Sequence, residues 1–211
     1  MAVSRTYEAI ILASYDVGEA DRFLILLTRE RGRIAARAAG VRRPLSRLSG
    51  LLPLTRTSLD LREHGGSFLV TSVHSRSHRR TAECMDDFLT GMQASDLLLS
   101  LLHDEEPAPA IFDALSAFLE QRKREPHHVT SFAFRLLFLL GVLSLETSSE
   151  PLASLAEEER RFVEESARGQ LQKTSPPLKK LLPILRKLLE EHALRPLKST
   201  DVTAACLSRN E

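Results

Sequence analysis

The chain changes its hydrophobic period once, near Ser75–Arg80. Before that point apolar and polar residues alternate in short runs broken by turn residues. Thr6–Ser14 reads as a strand, followed by a polar turn through Asp16, Gly18 and Asp21. Arg22–Thr28 is nearly all apolar (Phe23, Leu24, Ile25, Leu26, Leu27), the pattern of a strand buried on both faces, with Phe23 in the core. Glu30–Arg33, with Gly32, has the composition of a hairpin turn. Ile34–Ala39 then places Ile34, Ala36 and Ala38 on one face and Arg33, Ala35, Arg37 and Ala39 on the other. Leu54–Arg62 repeats the alternation, His64-Gly65-Gly66 turns the chain, and Ser67–Val73 supplies a fifth strand. Five short strands joined by hairpin turns predict a small closed barrel such as an OB-fold over residues 1–80.

Beyond Arg80 the period becomes helical, so residues 81–211 are expected to form an α-helical domain, giving an α+β chain overall. Phe88, Leu89, Met92, Leu99 and Leu102 mark one apolar face, and Ile111, Phe112, Leu115, Phe118 and Leu119 another. Phe132–Leu143 is apolar almost all round, which predicts a helix enclosed by others. Glu146–Pro151 reads as a loop. Leu178, Leu181, Leu182, Leu185, Leu188 and Leu189 form a long stripe behind a start signal at Ser175 and Pro176. That stripe leaves Lys179, Lys180, Arg186 and Lys187 for the surface.

Composition changes this picture mainly through charge. The net charge of +1 hides a polarised chain: residues 1–80 carry +7, residues 81–165 carry −11 and residues 166–211 carry +5. No lysine occurs in the first 80 residues, and seven arginines stand between Arg29 and Arg47 against the single acid Glu30. Guanidinium is planar, permanently charged and grips phosphate through paired hydrogen bonds. Arg31, Arg33 and Arg37 share the strand's two-residue parity, and Arg42, Arg43 and Arg47 continue into a loop pinned by Gly40 and Pro44. A stripe running from a strand into a loop suits a phosphate backbone. The alternative is an edge strand protected by its charges, although edge protection usually needs only one or two. Tyr7, Tyr15, Phe23 and Phe68 are the only aromatic residues of the barrel. Single-strand binding is therefore expected to lean on phosphates more than on stacked bases.

Other chemistry finds little support. Cys84 and Cys206 are far apart, fit a reduced cytoplasmic protein and cannot make a four-cysteine zinc site, so no metal or other cofactor is expected. The N-terminal apolar run, Ala9–Ala13, is too short for a signal peptide. His127-His128 after Pro126 reads as a helix start. Asp104-Glu105-Glu106 and Glu157-Glu158-Glu159 read as a helix end and a helix first turn. Arg135, the only charge in an apolar helix, is expected to pair with a buried acid. No Walker loop, Gly-x-Ser-x-Gly or His-Glu-x-x-His motif points to an enzyme.

Three segments resemble a known family. Tyr15-Asp16-Val17-Gly18-Glu19-Ala20-Asp21-Arg22 is similar to a pattern of a tyrosine and an acid followed by Gly-Glu-x-Asp-Arg. Thr28–Gly32 resembles a Thr-x-Glu-x-Gly hairpin, and Gly40–Arg47 resembles a Gly-x-Arg-Arg-Pro-x-Ser-Arg loop. These motifs, in this order and spacing, resemble the bacterial RecO recombination mediators. Phe132–Leu137 ending in Gly141 extends the likeness more loosely.

The resemblance implies an N-terminal OB-fold and a helical C-terminal domain. It also implies binding of single- and double-stranded DNA, annealing of complementary strands, and work with RecR to load RecA onto strands coated by single-stranded-DNA-binding protein (SSB), with no enzyme activity. Ala39 and Leu45 stand where many relatives carry lysine. The stretch Leu145–Gln170 holds no cysteine where many relatives carry a zinc module. An RNA-binding OB protein and a non-enzymatic adaptor remain alternatives, because phosphate-directed arginines do not distinguish DNA from RNA.

Overall fold

The computed structural model describes residues 4–76, 85–121, 123–146, 152–170 and 178–195. Its first part is five strands: β1 (Ser4–Val17), β2 (Asp21–Thr28), β3 (Gly32–Ala38), β4 (Arg56–His64) and β5 (Ser67–Arg76). They close into a barrel in the order β1-β2-β3-β5-β4. All neighbours are antiparallel except β3 and β5, which pair in parallel through Ala36–Phe68 and Arg37–Leu69. This is the expected OB-fold barrel. The two-residue periodicity sets its interior: Tyr7, Ala9, Ile11, Leu24, Leu26, Ile34, Ala36, Ala38, Leu59, Leu61, Phe68 and Val70 form one buried cluster. Each fully buried leucine or isoleucine side chain here is worth about 1.5–3 kcal/mol relative to exposure.

Two expectations about the barrel need correction. β1 runs on through Val17, so Tyr15 and Asp16 lie in a strand and the turn is confined to residues 18–20. Phe23 lies outside the core, 39% exposed. Leu24 and Leu26 take the inward positions of β2, which turns Phe23 to the outer face. Burial on both faces holds only towards the far end of β2, where outward Leu27 and its register partner Ile10 are fully buried. Arg56, opposite Ile10 on β4, shows what stands over this end. It donates to Ser116 Oγ at 2.9 Å and lies 5.6 Å above the Phe112 ring, both on helix α2 (Pro109–Glu120). As the apolar spacing predicts, α2 buries Ile111, Phe112, Leu115, Phe118 and Leu119.

The chain divides into two compact units. One holds Met1–Glu83 together with Leu102–Leu119; the other holds Cys84–Leu101 and Glu120–Glu211. In the second unit α3 (Pro126–Leu139) packs against α1 (Met85–Leu101), α4 (Glu157–Ala167) and α5 (Leu178–His192). Its near-total burial matches its apolar sequence.

The α1 face differs from expectation. Phe88 and Leu89 are exposed, while Thr90, Gly91, Ala94, Ser95, Leu97 and Leu98 are buried. The small side chains of Gly91, Ala94 and Ser95 let a neighbouring backbone approach more closely than a Phe–Leu face would.

Arg135 is held by the α4 C-terminus in place of an acid, its Nη1 donating to the Ala167 carbonyl. A helix end leaves carbonyls unpaired and carries partial negative charge, so it can take the role of a carboxylate. His127 and His128 do begin α3, and His128 Nδ1 accepts the Glu125 N–H at 2.9 Å. Glu157–Glu159 form the first turn of α4, with Glu159 accepting the Ala156 N–H. On α5, Leu181, Leu182, Leu185 and Leu189 are buried and Lys180, Arg186 and Lys187 exposed. Ser175, Pro176, the Glu146–Pro151 loop beyond Glu146, Cys84 and Cys206 lie outside the described residues.

Candidate nucleic-acid interface

The six arginines expected to bind nucleic acid fall into two groups. Arg31 and Arg33 stand at the start of β3 beside Arg29, and all three meet acids from the segment that follows α1. Arg33 Nε donates to Asp104 at 2.7 Å, Arg31 Nη2 to Glu105 at 2.6 Å, and Arg29 pairs with Asp113 on α2. The backbone joins in, with the Glu105 N–H donating to the Arg33 carbonyl at 2.8 Å in a short parallel bridge. β5 pairs with β3 only at Ala36 and Arg37, so this strap covers backbone that would otherwise be an open edge. Gly32 permits the approach. Its φ of +65° suits glycine, and a Cβ there would stand 1.8 Å from the Glu106 carbonyl oxygen. The acidic run expected merely to end a helix therefore neutralises part of the basic stripe. Arg31 also lies 5.5 Å over the Phe68 ring, and its guanidinium is held above its ordinary pKa chiefly by the Glu105 hydrogen bond.

The second group, Arg37, Arg42, Arg43 and Arg47, is exposed at the other end of β3 and in the loop after it. Arg37 continues the outward parity of Arg33, as the alternation requires. Its Nε donates to Asp21 at 2.9 Å. The other Asp21 oxygen accepts the Gly40 N–H at 2.7 Å, where φ is +66°. Arg42 donates its backbone N–H to the Ala20 carbonyl at 2.9 Å and its Nη1 to the Gly18 carbonyl at 3.2 Å. Asp16 receives Arg22 at 2.9 Å and Arg42 at 3.6 Å. The arginine loop is thus laced to the β1–β2 turn by two carboxylates. The Asp21 pKa is lowered first by the Gly40 N–H and then by the Arg37 guanidinium, against a smaller effect of burial.

Sequence reasoning picked the arginines by type and parity but missed Asp16 and Asp21 as the groups that position them. Their only signal was their place inside the tyrosine-acid and Gly-Glu-x-Asp-Arg pattern. Among the described residues no cluster of three or more His, Cys, Asp or Glu could hold a metal ion, and no helix is long and apolar enough to cross a membrane.

Comparison with known proteins bears directly on this barrel. Residues 1–77 match the family model described as Recombination protein O N terminal. Over residues 1–77 the chain is therefore similar to the N-terminal domain of the RecO family. It is 30% identical over 143 residues to the DNA repair protein RecO of Myxococcus xanthus, which covers 64% of this chain and 58% of that protein. It is 36% identical over 115 residues to the RecO protein of Anaeromyxobacter dehalogenans, covering 52% of this chain and 45% of the relative. Over 57 residues it reaches 56% identity with the RecO protein of Heliobacterium modesticaldum, 26% of this chain and 21% of that one. The chain thus aligns with less than two thirds of the length of these RecO relatives. Both arginine groups, Asp16 and Asp21 fall inside the RecO N-terminal match.

Proposed function

We propose that this chain acts in DNA repair and recombination as a non-enzymatic mediator that binds single- and double-stranded DNA through its barrel. The observation that carries the reading is the loop of Arg42, Arg43 and Arg47 laced beside Arg37 on the outer face of an OB barrel. A preorganised cluster of guanidiniums loses little freedom on meeting a phosphate chain, and each phosphate it neutralises releases counterions. Arg31 and Arg33 belong to the same track and contribute once the strap acids are displaced or out-competed.

Charge neutralisation also supports an annealing role. Two complementary strands repel one another through their phosphates, and a protein that screens that charge at its surface lowers the barrier to pairing. In this role the chain would work with RecR and help RecA replace SSB on single strands, as the family resemblance implies, in the cytoplasm and near the nucleoid. Lys180, Arg186 and Lys187 on α5 offer a second basic surface, although Arg186 and Lys187 already pair with Glu190 and Glu191 along the helix.

Gel shifts and strand-annealing assays with matched DNA and RNA oligonucleotides test the proposal. DNA binding that weakens steeply with salt, together with accelerated annealing, is the expected result. Binding to RNA alone would favour an RNA-binding role, and binding to neither would remove the reading.

A further inference from the structure

β1 contains one extra residue. Its pairing with β2 passes from Ile11–Leu26 to Ala13–Ile25, so Leu12 has no counterpart. Tyr7, Ala9 and Ile11 face the barrel interior, and a strict alternation would send Ala13 and Tyr15 inward as well. The bulge inverts the parity. A bulge that re-aims a side chain is a recurrent device at functional surfaces. Beyond it Tyr15 stands opposite Phe23, which faces outward, and Phe23 in turn stands opposite Arg37. Tyr15, Phe23 and Arg37 therefore make one row across three adjacent strands, about 10 Å from end to end at ordinary strand spacing. Tyr15 is 46% exposed and Phe23 39%, and Val17, next along the same face of β1, is also exposed.

Two aromatic rings held in water by a bulge, beside a loop of arginines, call for an occupant. Single exposed apolar residues are unremarkable on protein surfaces. Here two rings are register partners, and the cations beside them are fastened by Asp16 and Asp21 to the same hairpin. The occupant must offer flat apolar faces and negative charge a few ångströms apart. We propose that Tyr15 and Phe23 are a stacking platform for unpaired nucleobases, with the strand's phosphates on Arg37, Arg42 and Arg43.

This rests on the nucleic-acid reading above and deepens it. Arginines alone do not tell a single strand from a duplex, whose bases are already stacked on each other; exposed rings do. The count of barrel aromatics alone points away from base stacking, because an apolar run gives Phe23 to the core and does not display the bulge.

The chain has no tryptophan, so Phe23→Trp places one fluorophore in the row. Its emission should be quenched on adding oligothymidylate in low salt, and should not be quenched by inorganic polyphosphate. Tyr15→Ala and Phe23→Ala should each lower the ratio of single-strand to duplex affinity about 5-fold to 30-fold. They should leave the slope of log affinity against log salt as in the parent, since no phosphate contact is removed. Tyr15→Leu and Phe23→Leu, which keep apolar surface without a ring, should show the same loss and guard against effects of altered folding.

An unquenched fluorophore in a complex that anisotropy shows to be formed would overturn the platform. So would equal losses for single strands and duplexes. In both cases salt-sensitive binding by the arginines would survive, and the broader reading with it. If the parent chain binds no nucleic acid at all, both fall together.

Discussion

Asp21 and Gly40 are joined by one hydrogen bond of 2.7 Å, from the Gly40 N–H to the Asp21 carboxylate, and it closes the arginine loop onto the β1–β2 hairpin. Nineteen residues separate the two in sequence, yet the bond decides where Arg42 and Arg43 begin. It also has a pH dependence. The folded state holds the Asp21 pKa below the ordinary aspartate range, chiefly through that N–H. The stabilisation is present at neutral pH, above the unfolded-state pKa, and is lost as the pH falls through the lower folded-state value. The Gly40 amide proton should titrate by NMR with a midpoint below the ordinary aspartate range. A midpoint at or above that range would contradict the arrangement.

Gly32→Ala is expected to be among the most damaging single substitutions in the barrel. The left-handed backbone costs about 1–2 kcal/mol for any other residue. The added methyl would also meet the Glu106 carbonyl, so the strap must move off β3. Gly65→Ala, with φ of +59° and open space around it, should cost only the backbone part. Chemical denaturation of the two variants compares them directly, and equal losses would mean that the strap does not lie against Gly32.

The strap acids should restrain nucleic-acid binding. Substituting Asp104→Asn, Glu105→Gln and Asp113→Asn together removes the carboxylates that hold Arg33, Arg31 and Arg29. Affinity should rise, and the salt slope on duplex should steepen by up to about 0.9 per phosphate newly engaged. An unchanged slope would place Arg29, Arg31 and Arg33 off the nucleic-acid path and leave them a purely structural role.

Arg135→Ala removes the side chain that docks α3 to the α4 C-terminus. A hydrogen bond with one charged partner is typically worth about 1.5–3 kcal/mol. A loss of that size in the stability of the helical unit is expected. Gly169 packs against the Arg135 guanidinium and has φ of +79°, so Gly169→Ala should be destabilising too. Thermal melts followed by circular dichroism report both.

The outward arginines were legible because parity is local: Ile34, Ala36 and Ala38 inside require Arg33 and Arg37 outside. The same rule misplaced Phe23. In a wholly apolar run, hydrophobicity does not say which residues face in, and only pairing with β1 across an irregular register settles it. Partners distant in sequence were out of reach for the same reason. Arg33 and Asp104 are 71 residues apart, and no composition reveals that the acidic segment between two helices folds back onto a basic strand. The sequence displays Arg135 as a charge needing a partner and suggests an acid. Its partner is a helix end, a group that the pattern of side chains does not display. The small-residue face of α1 is hidden in the sequence because Phe88 and Leu89 carry the stronger apolar signal.

The most direct test of the account is the salt dependence of DNA binding by the triple variant Arg37→Ala, Arg42→Ala, Arg43→Ala, shown by circular dichroism to be folded. Removing three phosphate contacts should make the log–log salt slope shallower by about two units on single strands and nearly three, roughly, on duplex. Affinity at low salt should fall with it. A folded triple variant with the parent's slope would show that the DNA path lies elsewhere on the molecule.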